Sequence, residues 1–204
     1  EHTIAELKRQ GATIAVWGVG TKLATAYAQP ALGGVYKLGA IRDADGNWQP
    51  RVKLSDQAIK TSIPGIHQVR RFENADGLVG DMIYDATQCQ LGEGPLYDEA
   101  TTPEPGRVLS DPADPAKTTP MPDGAEAYDL LVPIARGGVF EDIDLSLEAA
   151  RERALKQRAS LSPGVRKFVI ADAYPVGLEP GLNELRSEMI RKRRLTLESY
   201  RIEL

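Results

Sequence analysis

The stretch TIAVWGVGT, residues Thr13 to Thr21, decides the reading of the fold. Its first five residues form a short, nearly continuous apolar run. Such runs suit a strand covered on both faces, as in a parallel sheet flanked by helices. Before it, Thr3 to Gln10 reads as a short helix, with Thr3 as cap and Glu6 completing a capping box. Ile4 and Leu7 share its apolar face, and Gly11 ends it. A helix feeding a buried strand is the repeating half of an α/β barrel or a doubly wound sheet. One such unit cannot close a sheet, so its partners are expected upstream. The chain opens on Glu1 rather than methionine and reads as a piece cut from a longer one.

Gly18 and Gly20 follow the run with one residue between them. Glycines let the backbone turn sharply and come close to a ligand. Successive N–H groups in such a turn can converge on an anion. Thr21 adds a hydroxyl and Lys22 a charge, at the end of a parallel strand where α/β folds place ligands. The reading is a phosphate cradle. The alternative is a tight strand-to-loop turn with no ligand.

Outward from there, residues 29–34 form a connecting loop, and from Val35 the pattern changes to period two. Tyr36, Leu38 and Ala40 share one face, Val35, Lys37 and Ile41 the other. Asp45-Gly46-Asn47 is a turn signal, with Val52 to Leu54 returning antiparallel. Pro64-Gly65 marks another turn. Val69 to Phe72 and Leu78 to Tyr84 are strand-like, separated by Asn74-Ala75-Asp76-Gly77. Residues 35–92 are therefore expected to hold an antiparallel sheet. It carries spaced cations: Lys37, Lys53, Lys60, Arg70 and Arg71. Lys53 and Ser55 project on one face. Cations gathered on one sheet face suit a polyphosphate; the alternative is a solvated face with scattered lysines.

Residues 93–127 hold seven prolines and no hydrophobic period, so 93–129 reads as an irregular arm without a site role. The last part, 130–204, reads as a helical extension. It has a short strand at Leu130 to Ile134, a turn at Gly137-Gly138 and a helix from a Ser146 cap to about Leu161. An extended run follows at Lys167 to Ala171. The last helix opens at Pro180, buries Leu182, Leu185 and Met189, and ends in the basic run Arg191 to Arg194.

Composition bounds the function. The 204 residues are 42% apolar and 26% charged, which fits a globular chain and excludes a disordered chain, a collagen or a coiled-coil rod. A formal charge of -4 argues against a dedicated nucleic-acid binder. The single cysteine, Cys89, can form neither an intrachain disulfide nor a cysteine-based zinc cluster, which fits a reducing compartment. No apolar stretch approaches the roughly 20 residues needed to cross a bilayer, and no signal peptide is visible. His2 and His67 lack a partner constellation, so structural or exposed roles are expected for both. No catalytic residue and no metal-ligand cluster is assigned.

The segment Ala12 to Leu38, ATIAVWGVGTKLATAYAQPALGGVYKL, resembles the nicotinate phosphoribosyltransferase family. Lys53-Leu54-Ser55, Lys60, the Pro64-Gly65 turn, Leu130-Leu131-Val132-Pro133 and Tyr174-Pro175-Val176-Gly177-Leu178 fit it too. The resemblance implies an α/β fold. Residues 1–34 would be the last helix-strand unit of an irregular α/β barrel of the type II phosphoribosyltransferase kind, followed by the antiparallel sheet and C-terminal helices. It implies that nicotinate and 5-phosphoribosyl 1-pyrophosphate give nicotinate mononucleotide and pyrophosphate, with coupled ATP hydrolysis and magnesium, in NAD salvage. A cytoplasmic homodimer is expected, with no nucleic-acid or membrane partner. Gly18, Gly20 and Thr21 would cup the ribose 5-phosphate. Lys37, Lys53, Ser55 and Lys60 would contact pyrophosphate or ATP phosphates. The phosphorylated histidine and the pyridine-contacting arginine would lie upstream, so this chain alone is expected to be inactive. A nicotinamide or quinolinate relative, or a non-catalytic phosphate-binding or dimerisation module, stays open.

Overall fold

The computed structural model describes residues 2–31, 34–55, 61–86 and 106–202. Lys60 and Cys89 lie outside them. The chain divides into two units, Glu1–Tyr36 and Lys37–Leu204.

The first unit opens with helix α1, His2–Arg9. Thr3 lies inside this helix, so it does not cap it. The Glu6 carboxylate does not reach back either. It accepts from Arg9 Nε at 2.8 Å, Arg9 Nη2 at 2.6 Å and Gln10 Nε2 at 2.8 Å. The expected capping box is thus replaced by an i,i+3 ion pair. Gly11 ends the helix with φ +85°, as its position suggested. The apolar run Thr13 to Trp17 forms no strand, with Ile14 49% and Val16 86% exposed. A strand exists through its partners, and none pairs with this run among the described residues. A short helix, α2 (Thr21–Ala24), follows with Gly20 at its N-cap.

The second unit begins with a hairpin of β1 (Ala40–Arg42) and β2 (Trp48–Pro50). Asp43 holds its turn, Oδ1 accepting from the amides of Asp45 at 3.1 Å and Asn47 at 2.8 Å. Gly46 supplies the positive φ of +86°. The return strand is Trp48–Pro50, not Val52 to Leu54, because this tight turn closes the ladder early.

The next hairpin is the centre of the fold. β3 (His67–Asn74) and β4 (Gly77–Asp85) pair antiparallel, with a bulge between Phe72 and Glu73. Three short strands follow: β5 (Val108–Ser110), β6 (Thr118–Pro120) and β7 (Glu126–Asp129). They correct the expectation of an irregular arm: residues 106–129 supply sheet strands and the core side chains Leu109, Met121 and Ala125. Each strand is too short to show a period. The predicted strand at Leu130 to Ile134 is displaced to β7. The Gln68 amide takes both the N–H and the C=O of Leu131, each at 3.0 Å, and so ends the pairing there.

A minor hairpin, β8 (Ala135–Arg136) and β9 (Val139–Phe140), turns at Gly137-Gly138, both at positive φ. Helix α3 (Leu147–Ala159) starts where expected, Ser146 accepting from the Ala149 amide at 3.2 Å. None of its residues is buried, so its leucines form no core stripe within this chain. Lys167 to Ala171 is not a strand but part of a loop closed on itself, the Asp172 amide donating to Gly164 O at 3.1 Å.

β10 (Val176–Leu178) inserts between β4, to which it is parallel, and β5, to which it is antiparallel. The sheet order is β6-β5-β10-β4-β3-β7, so the sheet is mixed rather than antiparallel. The insertion is tight. A Cβ on Gly177 would stand 2.8 Å from Leu109 Cβ and 2.9 Å from Ser110 O. Phe72, Met82, Leu109, Met121 and Ala125 form the core cluster. Helix α4 (Pro180–Ile202) leaves β10 at once, Glu179 Oε2 accepting from the Leu182 amide at 2.8 Å. Leu182 is fully buried, and Asn183 Nδ2 donates to Ser110 Oγ at 2.7 Å. The run Arg191 to Arg194 lies in the middle of α4 rather than at its end, correcting that expectation.

Candidate functional site

The predicted site residues fall in both units. Gly18, Gly20 and Thr21 belong to the first, where the chain enters α2. The amides of Leu23 and Ala24 both donate to Gly20 O, at 3.1 and 3.2 Å, and Thr25 Oγ1 donates to Thr21 O at 2.8 Å. Neither Gly18 nor Gly20 has a positive φ, and nothing stands within 4 Å of a Cβ built on either. Gly20, at φ -92° and ψ -132°, lies outside the extended and helical regions.

Lys37, Lys53 and Ser55 belong to the second unit. The Arg51 amide donates to Gly39 O at 2.7 Å, carrying the β1–β2 register outward. Continued by one more step of two residues, that register sets Lys37 opposite Lys53. The ladder stops short of it because Ser62 takes the Lys53 backbone. The Lys53 amide donates to Ser62 Oγ at 2.7 Å, and the Ser62 amide donates to Lys53 O at 3.1 Å. The Lys53 side chain is exposed, while Lys37 and Ser55 are half-buried.

Arg70 and Arg71 do not join these lysines in one cationic face. As neighbours in a strand they point to opposite faces, and each is matched by a carboxylate. Arg70 Nε donates to Asp129 Oδ1 at 2.9 Å, and Tyr84 Oη donates to Asp129 Oδ2 at 2.9 Å. Arg71 grips Asp81 with two bonds, and Tyr174 Oη donates to Asp81 Oδ1 at 2.9 Å. The hydrogen bond to Asp81 pushes the Arg71 guanidinium further up. Burial, then the Asp81 charge, pushes the Tyr174 phenol up. Burial and the bond to Glu73 push Tyr128 up to about 12. His67 is structural, its Nε2 lying 2.9 Å from Pro64 O.

The polar network of Arg71, Asp81 and Tyr174 was not anticipated. Its signal was available only as charges at matching positions inside two strand-like runs. Their pairing depends on register, which a single sequence does not print. Among the described residues, no group of three or more His, Cys, Asp or Glu side chains is placed to hold a metal ion.

Residues 66–186 match the family model described as nicotinate phosphoribosyltransferase C-terminal domain. The chain belongs to the nicotinate phosphoribosyltransferase family. The matched segment includes the Arg71–Asp81–Tyr174 network and begins after the candidate phosphate-contacting residues. The nicotinate phosphoribosyltransferase of Bacillus subtilis (strain 168) is 57% identical over 74 residues, 36% of this chain and 15% of that protein. The Homo sapiens protein of the same name is 31% identical over 188 residues, 91% of this chain and 31% of its own length. The chain thus spans less than a third of these relatives. The crystal structure of human nicotinic acid phosphoribosyltransferase shares the fold with a TM-score of 0.55 at 22% identity, over 93% of this chain and 31% of that one. Among the described residues, no helix is long and apolar enough to cross a membrane.

Proposed function

We propose that this chain supplies the sugar-phosphate cradle and the sheet domain of a nicotinate phosphoribosyltransferase. The enzyme would form nicotinate mononucleotide and pyrophosphate from nicotinate and 5-phosphoribosyl 1-pyrophosphate, with coupled ATP hydrolysis, in NAD salvage. The match of residues 66–186 to the family's C-terminal domain carries the assignment of the sheet domain to such an enzyme. Residues 1–34 would be the last helix-strand unit of the barrel, with Thr13 to Trp17 pairing against strands from an upstream part. A cytoplasmic homodimer completes the proposal. ATP would supply phosphoryl-transfer energy, and magnesium is expected to come with the phosphates.

Gly18, Gly20 and Thr21 would grip the 5-phosphate of the ribose. The reading is supported by the spacing of the two glycines directly ahead of α2, where backbone amides can approach an anion. The phosphate keeps its charge throughout the reaction, so the cradle would position the ribose while bonds change at its anomeric carbon. The exposed Lys53, with Lys37, Ser55 and Lys60, would meet the pyrophosphate, which gains negative charge as it leaves. The phosphorylated histidine and the pyridine contacts would come from the upstream part, leaving the 204-residue chain inactive alone.

The test is kinetic. In the full-length polypeptide, Gly20→Asp should raise the KM for 5-phosphoribosyl 1-pyrophosphate sharply while nicotinate affinity holds. Unchanged affinity for the phosphoribosyl substrate removes the cradle. Formation of nicotinate mononucleotide at near-normal rates by the 204-residue chain would contradict the division of labour.

A further inference from the structure

The loop from Ser162 to Asp172 joins α3 to β10. Its ends are tied down. The Leu78 amide donates to Ser160 O at 2.8 Å, and Tyr174 is bonded to Asp81 beyond the other end. The loop also closes on itself. The amides of Lys167 and Asp172 both donate to Gly164 O, at 3.4 and 3.1 Å, and Lys167 Nζ lies 3.4 Å from Asp172 Oδ1. The Asp172 carboxylate lies against Gly164, so a side chain there would have to displace it. The loop presents three consecutive apolar residues at its tip: Phe168, Val169 and Ile170. Phe168 is 81% exposed and Ile170 89%.

Two features set this tip apart from a chance surface residue. An unbroken aromatic and β-branched triplet in water forgoes its burial energy. Ile170 also holds φ +51°, a conformation that β-branched residues strongly disfavour. All three side chains stay exposed among the described residues, Val169 at 58%.

We propose that the loop is a docking finger whose tip seats in an apolar groove on the part of the nicotinate phosphoribosyltransferase polypeptide that lies outside this segment. The length relation points to that occupant. The chain aligns over 91% of its length with the human relative yet covers 31% of it, so most of the family's polypeptide is available to cover the tip. Anchored at Ser160 and Tyr174, the finger ties that part to the β3–β4 turn and to the Asp81 network. The inference rests on the proposed function in requiring a longer polypeptide. It does not depend on which pyridine is used.

Hydrogen exchange on the full-length polypeptide and on the 204-residue chain tests it. The amides of residues 165–171 should exchange on the order of a hundredfold more slowly in the full-length protein, at any concentration. Ile170→Asn relieves the backbone conflict and places a polar amide at the tip. It should leave the melting temperature of the 204-residue chain unchanged or raised, and lower that of the full-length protein. Equal exchange in both proteins, or the same sign of change in both, overturns the finger. Protection that appears in the 204-residue chain as its concentration rises points to a second copy and overturns it equally. Nicotinate mononucleotide formation, measured separately, tells failure of the enzyme reading from failure of the docking.

Discussion

Arg71 and Asp81 face each other across β3 and β4 in a fork-to-fork pair, Nε to Oδ1 at 2.8 Å and Nη2 to Oδ2 at 2.7 Å. Their side chains are 14% and 12% exposed. Two parallel bonds between planar groups are the strong form of this interaction. The Tyr174 hydroxyl bonds the same carboxylate, so the pair also fixes the approach to β10. Removing one partner leaves a buried charge unmatched. Arg71→Ala should therefore destabilise the chain by about 3 kcal/mol. A paired replacement, Arg71→Met with Asp81→Leu, should recover most of that loss. Urea midpoints check it, and an additive double variant would remove the pair as a unit.

Tyr128 makes the alkaline limit readable. Its phenol is pushed up to about 12, first by burial and then by the bond to Glu73. A pKa higher in the folded state than in the unfolded one favours folding while the phenol is neutral. This contribution is whole below the ordinary tyrosine pKa and is lost as pH rises toward 12. Tyr128→Phe should flatten the decline of stability over that window. Ultraviolet titration should show this phenol ionising late, and a normal midpoint would contradict the assignment.

The insertion of β10 is sensitive to one carbon. Gly177→Ala puts a methyl within 2.9 Å of Ser110 O, between two paired strands. Overpacking of this kind costs about 1–3 kcal/mol. Thermal unfolding of the variant should show it, and an unchanged midpoint would mean that β5 and β10 separate freely.

These sites show what could be read in advance. The β3–β4 hairpin was legible because its strands are long enough to alternate and Asn74 to Gly77 spell a turn. Helix α3 was legible from its Ser146 cap, and α4 from Pro180. β10 was not, since Val176 pairs with Asp81, far away in sequence. Three residues carry no period. Thr13 to Trp17 was read as a buried strand from its composition alone, and the described residues hold no partner for it. Of the candidate site, Lys37 and Lys53 stand on neighbouring runs, but the β1–β2 ladder ends before it reaches them because Ser62 takes the Lys53 backbone. The neutralisation of Arg70 and Arg71 by Asp129 and Asp81 was not foreseen, because cross-strand matches depend on register.

The lysines give a separable kinetic prediction. Lys53→Ala and Lys37→Ala in the full-length enzyme should weaken pyrophosphate or ATP handling more than nicotinate binding. Losing one charge contact of this kind should cost on the order of tenfold, or ~1.4 kcal/mol. Product inhibition by pyrophosphate reads it directly, and constants equal to the parent's would take both lysines out of the site.

The cradle proposed at Gly18, Gly20 and Thr21 can be tested at its own atoms. Nitrogen-15 amide shifts of these residues in the full-length protein should move, saturably, on titration with ribose 5-phosphate, and Gly20→Asp should abolish the movement. Saturable binding that leaves those amides still, with shifts elsewhere, would contradict the account.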